Sequence, residues 1–481
     1  MSEPFSILKA DPFRADRDFI EEKEDLLRNK FERDRDRILF SKEFRRLQGK
    51  TQVFVAGFDD HIRNRLTHTL IVSQISKTLA KHFGFDETLA EAIALAHDVG
   101  HTPFGHVGER TLNLITNNCD TFQDFTIHSD DEKGFKHNWQ GLKVVSSLEK
   151  ISTEYKGLNL TDYTLWGILN HSNLNYKKCT YYNNNNCHFK QNHTKCNRVV
   201  SQPFILNYYK RFEHLLSNSS WTCEGLIVSH ADEIAQRYHD IEDALLAKII
   251  EKEELIRKIE ESFSNVLTEE DHSCLDKIIN ENNLNVVLHD FSGFIIRLYS
   301  KNLIDNSQVT LIDQLINKFL IKDVHEFNNI KPELQQDQII GLICFSESFI
   351  KCDEEFHKFL FERILNSHLA QAMDGKSSYI LRKIIHAYLD NPKQLPDSTI
   401  TTLFSNYLDN GMFKSEIFGK SDKEQSGHFR SEINKQLSST DRNKFNTTLI
   451  RTIVDFIAGM TDSFAISQFN LLYKGESLKN Y

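Results

Sequence analysis

Between His97 and Glu109 the chain reads HDVGHTPFGHVGE, which gathers His97, Asp98, His101, His106 and Glu109 within thirteen positions. His97 and Asp98 close a helix that is otherwise apolar, through Leu89, Ile93 and Leu95. A lone His at a helix C-terminus usually does no more than meet the dipole. An adjacent acid, followed by a Gly-Pro-containing loop with two more His and a Glu, is harder to explain structurally. Such a loop can bring several imidazoles and carboxylates to one point without packing a core. A divalent ion in a mixed imidazole and carboxylate shell suits Mn, Fe, Zn or Mg chemistry, and oxygen donors shift the balance toward harder metals. Two adjacent residues cannot close a shell, so other ligands must come from elsewhere. Upstream, RNRLTHTL carries His68; downstream, SHADEIAQRYHDIED sets Asp232, Gln236 and Asp240 on one helix face at i, i+4 and i+8. Each alone is weak, since a helical Asp is usually a solvated charge, and spacing alone does not join these sites.

The elements that must hold these residues are helices. Leu66, Leu70, Ile71, Ile75 and Leu79 stripe a helix over 62–83, and Gly84 stops it from the C′ position. Asp86 caps the next helix, DETLAEAIALAHDV, which ends at Gly100. Further helices are expected over 224–246, 244–264 and 376–389, the last stopped by DNPKQLPD. Residues 18–48 have helical spacing through Phe19, Leu26, Phe31, Ile38, Leu39, Phe44 and Leu47, and their RDRDR run reads as a solvated face. Residues 173–200 are polar, Asn-rich and aperiodic, and read as a loop or small insertion. Residues 250–370 are helical in pattern without a chemical motif, and no internal repeat is visible.

Composition bounds the rest. The chain has 481 residues, with 58 Lys+Arg against 68 Asp+Glu and a formal net charge of −10. That balance argues against binding nucleic acid by bulk charge, so single-stranded nucleic acid gains no support as a partner. The apolar runs are short and broken by charge, so no membrane span is expected. The opening MSEPFSILKADPFR has neither a basic nor an apolar signal region. Eight Cys in this length make no disulfide framework, and the expected compartment is the cytoplasm. Cys119, Cys223, Cys274, Cys344 and Cys352 sit mostly among apolar residues and read as core fillers. With 7 Pro and 19 Gly there are few breakers, which favours an all-α protein.

A resemblance joins the scattered residues. H…HD…D is the signature of HD-domain metal-dependent phosphohydrolases. The segments DRDRILFSKEFRRLQGKTQVF, RNRLTHTLIVSQI, HDVGHTPFGHVGE, FKHNWQGLKVV, ADEIAQRYHDIEDAL and DFIAGMTD occur in this order. Together they resemble the deoxyguanosine triphosphate triphosphohydrolase (dGTPase) family, densely over 19–245 and more thinly over 376–396 and 450–465. The resemblance implies an all-α HD-domain helical bundle with an additional helical C-terminal region. It also implies three parts: a catalytic core over 1–250 with the polar insertion 173–200, a helical region over 251–370, and a C-terminal region over 371–481 that completes the nucleotide site.

Carried over by position, the resemblance implies His68, His97, Asp98 and Asp232 as metal ligands, with Mg2+ or Mn2+ as the ion. His106 with Glu109 resembles the family's catalytic pair beside the α-phosphate, and His101 a second phosphate-side imidazole. Arg65 matches a phosphate-contacting Arg, whose guanidinium fork suits a triphosphate. Gln52 and Val53 match the positions that read the sugar's 3′-hydroxyl and exclude a 2′-hydroxyl. His137, Asn138 and Gln140 match residues that line the site, and Asp240 an acid that contacts the sugar. Three features depart from the family pattern. Gln236 stands where many members have a Tyr against the sugar. The phosphate loop is not clear in YYKRFEH, where Lys210 is the nearest nominee. Ser463 follows GMTD in place of an aromatic or basic residue.

The implied reaction is metal-assisted hydrolysis of dGTP, with other dNTPs as further substrates, to the deoxynucleoside and inorganic triphosphate, by a cytoplasmic homo-oligomer. Two other readings compete: an HD hydrolase of a cyclic or guanosine tetraphosphate-type nucleotide, and a non-catalytic nucleotide- or nucleic-acid-binding regulator. The blocks around Gln52 and Arg65 argue against the first, and the intact ligand set with His106 against the second. Cys179, Cys187, His188, His193 and Cys196 offer ligands for a structural zinc in the insertion, but their spacing is irregular, and a polar loop with incidental thiols competes.

Overall fold

The computed structural model describes residues 5–21, 25–51, 63–120, 122, 125–128, 132–172, 212, 215, 220–408, 422–440 and 442–474. Among these there is no β-strand; extended pairing is limited to isolated bridges such as Thr51 with Asn64. The all-α expectation holds. No helix among the described residues is long and apolar enough to cross a membrane.

The helices that position the site begin with α1 (Lys30–Phe40), α2 (Arg65–Phe83) and α3 (Glu87–Ala96). They continue with α4 (Gly105–Thr116), α5 (His137–Lys143), α6 (Asp162–Asn170) and α7 (Cys223–Leu246). The caps explain the boundaries. The Asn64 side chain accepts from Thr67 N at the start of α2, and Gly84 ends that helix at φ 77°, a left-handed angle that glycine tolerates best. The Asp86 carboxylate accepts from Thr88 N and Leu89 N to start α3. Helices α2 and α3 pack side by side, α1 lies on α3, and α7 crosses α2, α3 and α6. This apolar core includes Val72, Ile93, Ile168, Ile227 and Ile234, all fully buried. It extends through α8 (Leu284–Thr310) and α9 (Glu347–Leu365). A second core joins Phe104, Leu112 and Ile115 to α10 (His368–Asp390), α11 (Asp397–Tyr407), α12 (Arg442–Ala458) and α13 (Asp462–Tyr473).

Several boundaries differ from the sequence reading. The expected helix over 18–48 is α1 plus a short helix, Lys42–Arg46. Asp25 instead turns the chain by accepting from Leu27 N and Arg28 N, and Asn29 forms a capping box with Glu32. Ser41, extended at ψ 155°, separates the two helices and caps the second. The stretch 244–264 breaks at Lys248, which has φ 52°, and resumes as a helix over Lys252–Ser262. The 173–200 insertion, with Cys179, Cys187, His188, His193 and Cys196, lies outside the described residues.

RDRDR is not simply a solvated face. Asp34 is fully buried, where it pairs with Arg17 at 2.8 Å. It also accepts from Thr161 N at 2.9 Å, Thr161 Oγ1 at 2.6 Å and Thr164 Oγ1 at 2.7 Å. One carboxylate thus ties the N-terminal segment, α1 and the start of α6 together. Asp34→Ala would strand an arginine and several donors, and breaking a buried pair from one side costs about 3–5 kcal/mol. A markedly lowered melting temperature of the full chain is the expected result; an unchanged one would contradict this role.

Candidate metal centre and anion cleft

Helices α2, α3 and α7 converge on one buried cluster. His68 and Asp232 meet through Nε2 and Oδ1 at 2.9 Å, on facing sides of α2 and α7. His97 and Asp98 arrive from the turn that ends α3. His97 Nε2 stands 3.5 Å from Asp98 Oδ1 and 3.6 Å from Asp232 Oδ1, and His68 Nε2 4.0 Å from Asp98 Oδ2. The ligand atoms of His68, His97 and Asp98 lie within 4.8 Å of one another. Sequence spacing could not join these residues; the helix crossings do.

This donor set fits a cation. His97 Nδ1 donates to Ala94 O at 2.6 Å, which turns Nε2 inward, and that buried Nε2 has no hydrogen-bond partner. A buried polar atom left bare costs about 1–3 kcal/mol unless something fills its place. The local field asks for positive charge as well. Burial opposes a charged His97, yet Asp98 and Asp232 prevail and raise its pKa to about 9. Asp98 and Asp232 are held well below the usual carboxylate range: burial works against this, and it is overcome by Arg65, His101 and His97 around Asp98 and by His68 and His97 around Asp232.

Next to the cluster stand Arg65, His101, His137 and Lys136. Arg65 is buried and donates from Nη1 to Asp98 Oδ2 at 2.5 Å, while its Nε and Nη2 have no partner. His101 Nε2 lies 3.0 Å from Asp98 Oδ1. Burial, reinforced by Arg65 and His137, depresses its pKa well below the ordinary value, so His101 is neutral and its unpartnered Nδ1 is a hydrogen-bond acceptor. The His101 ring stacks on His137 with centroids 3.8 Å apart. Gly100 makes that approach possible, because a Cβ there would stand 2.0 Å from His137 O and 2.2 Å from Gly141 N.

The hydrogen count at His137 fixes its charge. His171 Nδ1 lies 2.6 Å from Ile168 O, so it donates there and leaves Nε2 as an acceptor. His137 Nε2, 3.2 Å away, must therefore carry a hydrogen. Its Nδ1 faces Glu109 Oε2, and Glu109 is a carboxylate held well below its usual range: burial opposes this, but His137 and Lys136 outweigh it. Both ring nitrogens of His137 donate, so the ring is an imidazolium. Asp98, His101 and His137 are close enough to hold a second cation, but a doubly protonated His137 offers no lone pair.

His106, on the first turn of α4, keeps an open face, and its ring lies 5.7 Å from that of His101. The surrounding protein lowers its pKa to about 4: desolvation comes first, Glu109 opposes it, and Arg65, His137 and Lys136 add to the lowering. Water at the open face screens part of that shift. Glu109 hydrogen-bonds His137 and Lys136, not the His106 that the sequence suggested as its partner. Asn138 and Gln140 are buried with their amides committed: Asn138 Nδ2 to Leu169 O at 3.1 Å, Gln140 Nε2 to Asp455 Oδ1 at 3.2 Å. On α7, Gln236 and Asp240 are half-buried, and burial pushes the Asp240 carboxyl up to about 7. Gln52, Val53 and Lys210 lie outside the described residues.

The sequence reading missed His171, His239, Lys136 and the clamp made by Asp462. The Asp462 carboxylate accepts from Thr51 N at 3.0 Å and from Phe104 N at 2.8 Å. Phe104 has φ 61°, a left-handed angle that a non-glycine residue keeps only when held. Beside it, buried Lys50 donates from Nζ to His101 O and Ala458 O, and burial lowers its pKa to about 8. His239, seven residues after Asp232, was the one with a readable signal, since i+7 returns to the same helix face.

Residues 65–237 match the HD domain, and residues 343–407 and 416–471 match a phosphohydrolase-associated domain. The chain is 31% identical over 472 residues to a deoxyguanosinetriphosphate triphosphohydrolase-like protein of Rickettsia canadensis (strain McKiel), covering 96% of this chain and 98% of that one. It is 30% identical over 472 residues to a protein of the same description from Rickettsia felis, with 96% of each covered. A third, from Rickettsia rickettsii (strain Iowa), is 30% identical over 456 residues, or 92% of this chain and 91% of that one.

His97→Ala removes the bare inward nitrogen and is expected to abolish divalent-metal binding while keeping the fold. Elemental analysis of the dialysed protein checks this, and metal retained at the unmutated level contradicts the ligand assignment.

Proposed function

We propose, from the premise that this chain belongs to the deoxyguanosinetriphosphate triphosphohydrolase-like family of HD-domain phosphohydrolases, that it hydrolyses dGTP, and other dNTPs, to the deoxynucleoside and inorganic triphosphate. The observation that carries the reading is the adjacency of two things: an inward, unpartnered His97 Nε2 among carboxylates, and an arginine with two unpartnered buried nitrogens beside it. The first suits a cation and the second an anion, and a metal-bound polyphosphate supplies both.

In this reading His68, His97, Asp98 and Asp232 hold Mg2+ or Mn2+. A divalent ion there supplies Lewis acidity and charge neutralisation at a phosphoryl group. The residues around it do the rest. Arg65 offers its free Nε and Nη2 to phosphate oxygens, with Nη1 braced on Asp98. The His137 imidazolium and Lys136, both set by Glu109, add positive charge to the same wall. These cations help to depress His106 in the free protein. A triphosphate neutralises them, so His106 rises toward the range where it can give up a proton. His106 then protonates the 5′-oxygen as its bond to the α-phosphorus breaks, while a water oxygen bonds to that phosphorus and gives up one proton, which restores the protonated His106. Gln52, Val53, Gln236 and Asp240 serve the sugar, and Lys210 the phosphates. We take residues 371–481 to complete the site through the Asp462 clamp. Family membership is also the ground for taking the protein as a cytoplasmic homo-oligomer.

Incubation of dGTP with the protein and Mg2+ or Mn2+, resolved by ion-exchange chromatography, is expected to give deoxyguanosine and intact triphosphate. First products of dGMP with pyrophosphate, or dGDP with phosphate, would falsify this reading. His106→Ala is expected to keep its metal and lose about 10² to 10⁴ in kcat, the usual worth of one general acid. Loss of metal from that variant would move His106 into the ligand set instead.

A further inference from the structure

His239 is fully buried on α7 and touches no carboxylate of the cluster, yet it lies between two functional groups. Its Nδ1 is 3.1 Å from His68 Nδ1, and its Nε2 is 3.2 Å from Arg63 Nη1. Arg63 is held on its other side by the Tyr238 hydroxyl and the Glu242 carboxylate, with its guanidinium carbon 4.6 Å from the centre of the Tyr238 ring.

The hydrogens in this row can be counted. A guanidinium only donates, so His239 Nε2 is a lone pair and, in a neutral ring, Nδ1 carries the hydrogen. With a lone pair on Nε2, the ring carries only that one hydrogen and is neutral. His68 Nδ1 must then accept, and the His68 hydrogen sits on Nε2, facing Asp232 Oδ1. The row donates in one direction, from Arg63 through His239 and His68 to Asp232. Yet Nε2 of His68 is the nitrogen that a cation needs. To free it, His68 must carry its hydrogen on Nδ1 and donate to His239. The His239 hydrogen then moves to Nε2, where it confronts the Arg63 N–H.

We propose that His239 is a positioning residue for His68, and that its two tautomers make cation binding at the His68, His97, Asp98 and Asp232 site incompatible with the Arg63–His239 hydrogen bond. The inference rests on the metal site proposed above. Protons balance: one leaves His68 Nε2, one arrives at His239 Nε2, and the one between the two Nδ1 atoms passes from His239 to His68. Cation binding therefore turns Arg63 away from His239. Arg63 lies two positions before Arg65, so the freed guanidinium is placed near the residue that faces the anion. Loading the cation thereby prepares the cleft for the polyphosphate.

The test is a titration of the full chain with Mn2+ alone, followed by calorimetry and by electron paramagnetic resonance of the free ion, without nucleotide. His239→Ala should weaken binding by about 10- to 100-fold, the usual loss for an outer partner of a ligating imidazole. Arg63→Met should do the opposite and tighten binding several-fold, because it removes the donor that opposes the required tautomer. A purely structural role for Arg63 would weaken binding or leave it unchanged, and either result overturns the proposal. His239→Asn supplies an amide oxygen in place of Nδ1 with no tautomer to reverse. It should bind Mn2+ at least as tightly as the unmutated chain, and adding Arg63→Met should bring no further gain. A further gain in that double variant also overturns the proposal. Should His239→Ala fail to fold, the asparagine and methionine variants carry the test by themselves. If the unmutated chain binds no Mn2+, or His97→Ala binds it equally well, the metal site itself fails. If His97→Ala loses the ion but Arg63→Met does not tighten it, only the coupling fails.

Discussion

A carboxylate as deeply buried as that of Asp98 persists as an anion only where positive charge and hydrogen-bond donors surround it. Arg65 takes one of its oxygens and His101 the other, and the rest of the site is arranged around that pair of contacts. Because Arg65 is braced by one nitrogen, its other two are pointed rather than mobile. Because His101 donates to Asp98, its free nitrogen is an acceptor and its ring a flat support for the charged His137 ring. Asp98 thus ties the histidine–carboxylate cluster to the basic side chains beside it, through one oxygen each.

The contacts that shape the cleft come from distant parts of the chain. The His97–Asp98 turn rests on α5 through Gly100, and α5 is tied to α12 through Gln140 and Lys143 on Asp455. Asp462 at the head of α13 holds both the left-handed Phe104 backbone and Thr51. Asp462 therefore holds the loop through its backbone N–H groups. It keeps the turn into α4, and with it the first-turn His106, in one conformation.

What could be read in the sequence was what depends on near neighbours. Helices α2, α3 and α7 were legible because their stops are local: Gly84 in the left-handed region, Asp86 accepting from the next residues, Thr222 before a long apolar-striped run. RDRDR was misread because the partners of Asp34 that bury it, Thr161 and Thr164, lie 127 and 130 residues away. The pairing of Glu109 with His106 came from the resemblance and not from spacing. The N-terminus of α5 brings His137 and Lys136 closer than the sequence spacing implied. The four ligand positions came from a resemblance and not from spacing; His171 had no motif to announce it, and His239 only its i+7 spacing from Asp232.

The Asp462 clamp also carries a consequence for biosynthesis. Its partner Thr51 lies 411 residues earlier, and Lys50 reaches Ala458 across 408. Ribosomes add roughly 5–20 residues per second, so about 20–80 s separate the emergence of these partners. Once Asp232 has been added, the nascent chain carries every histidine and carboxylate of the cluster, but the Phe104 turn still lacks the carboxylate that holds it. The Phe104 turn is therefore held only after Asp462 has emerged, so a product truncated before it carries His68, His97, Asp98 and Asp232 without that clamp.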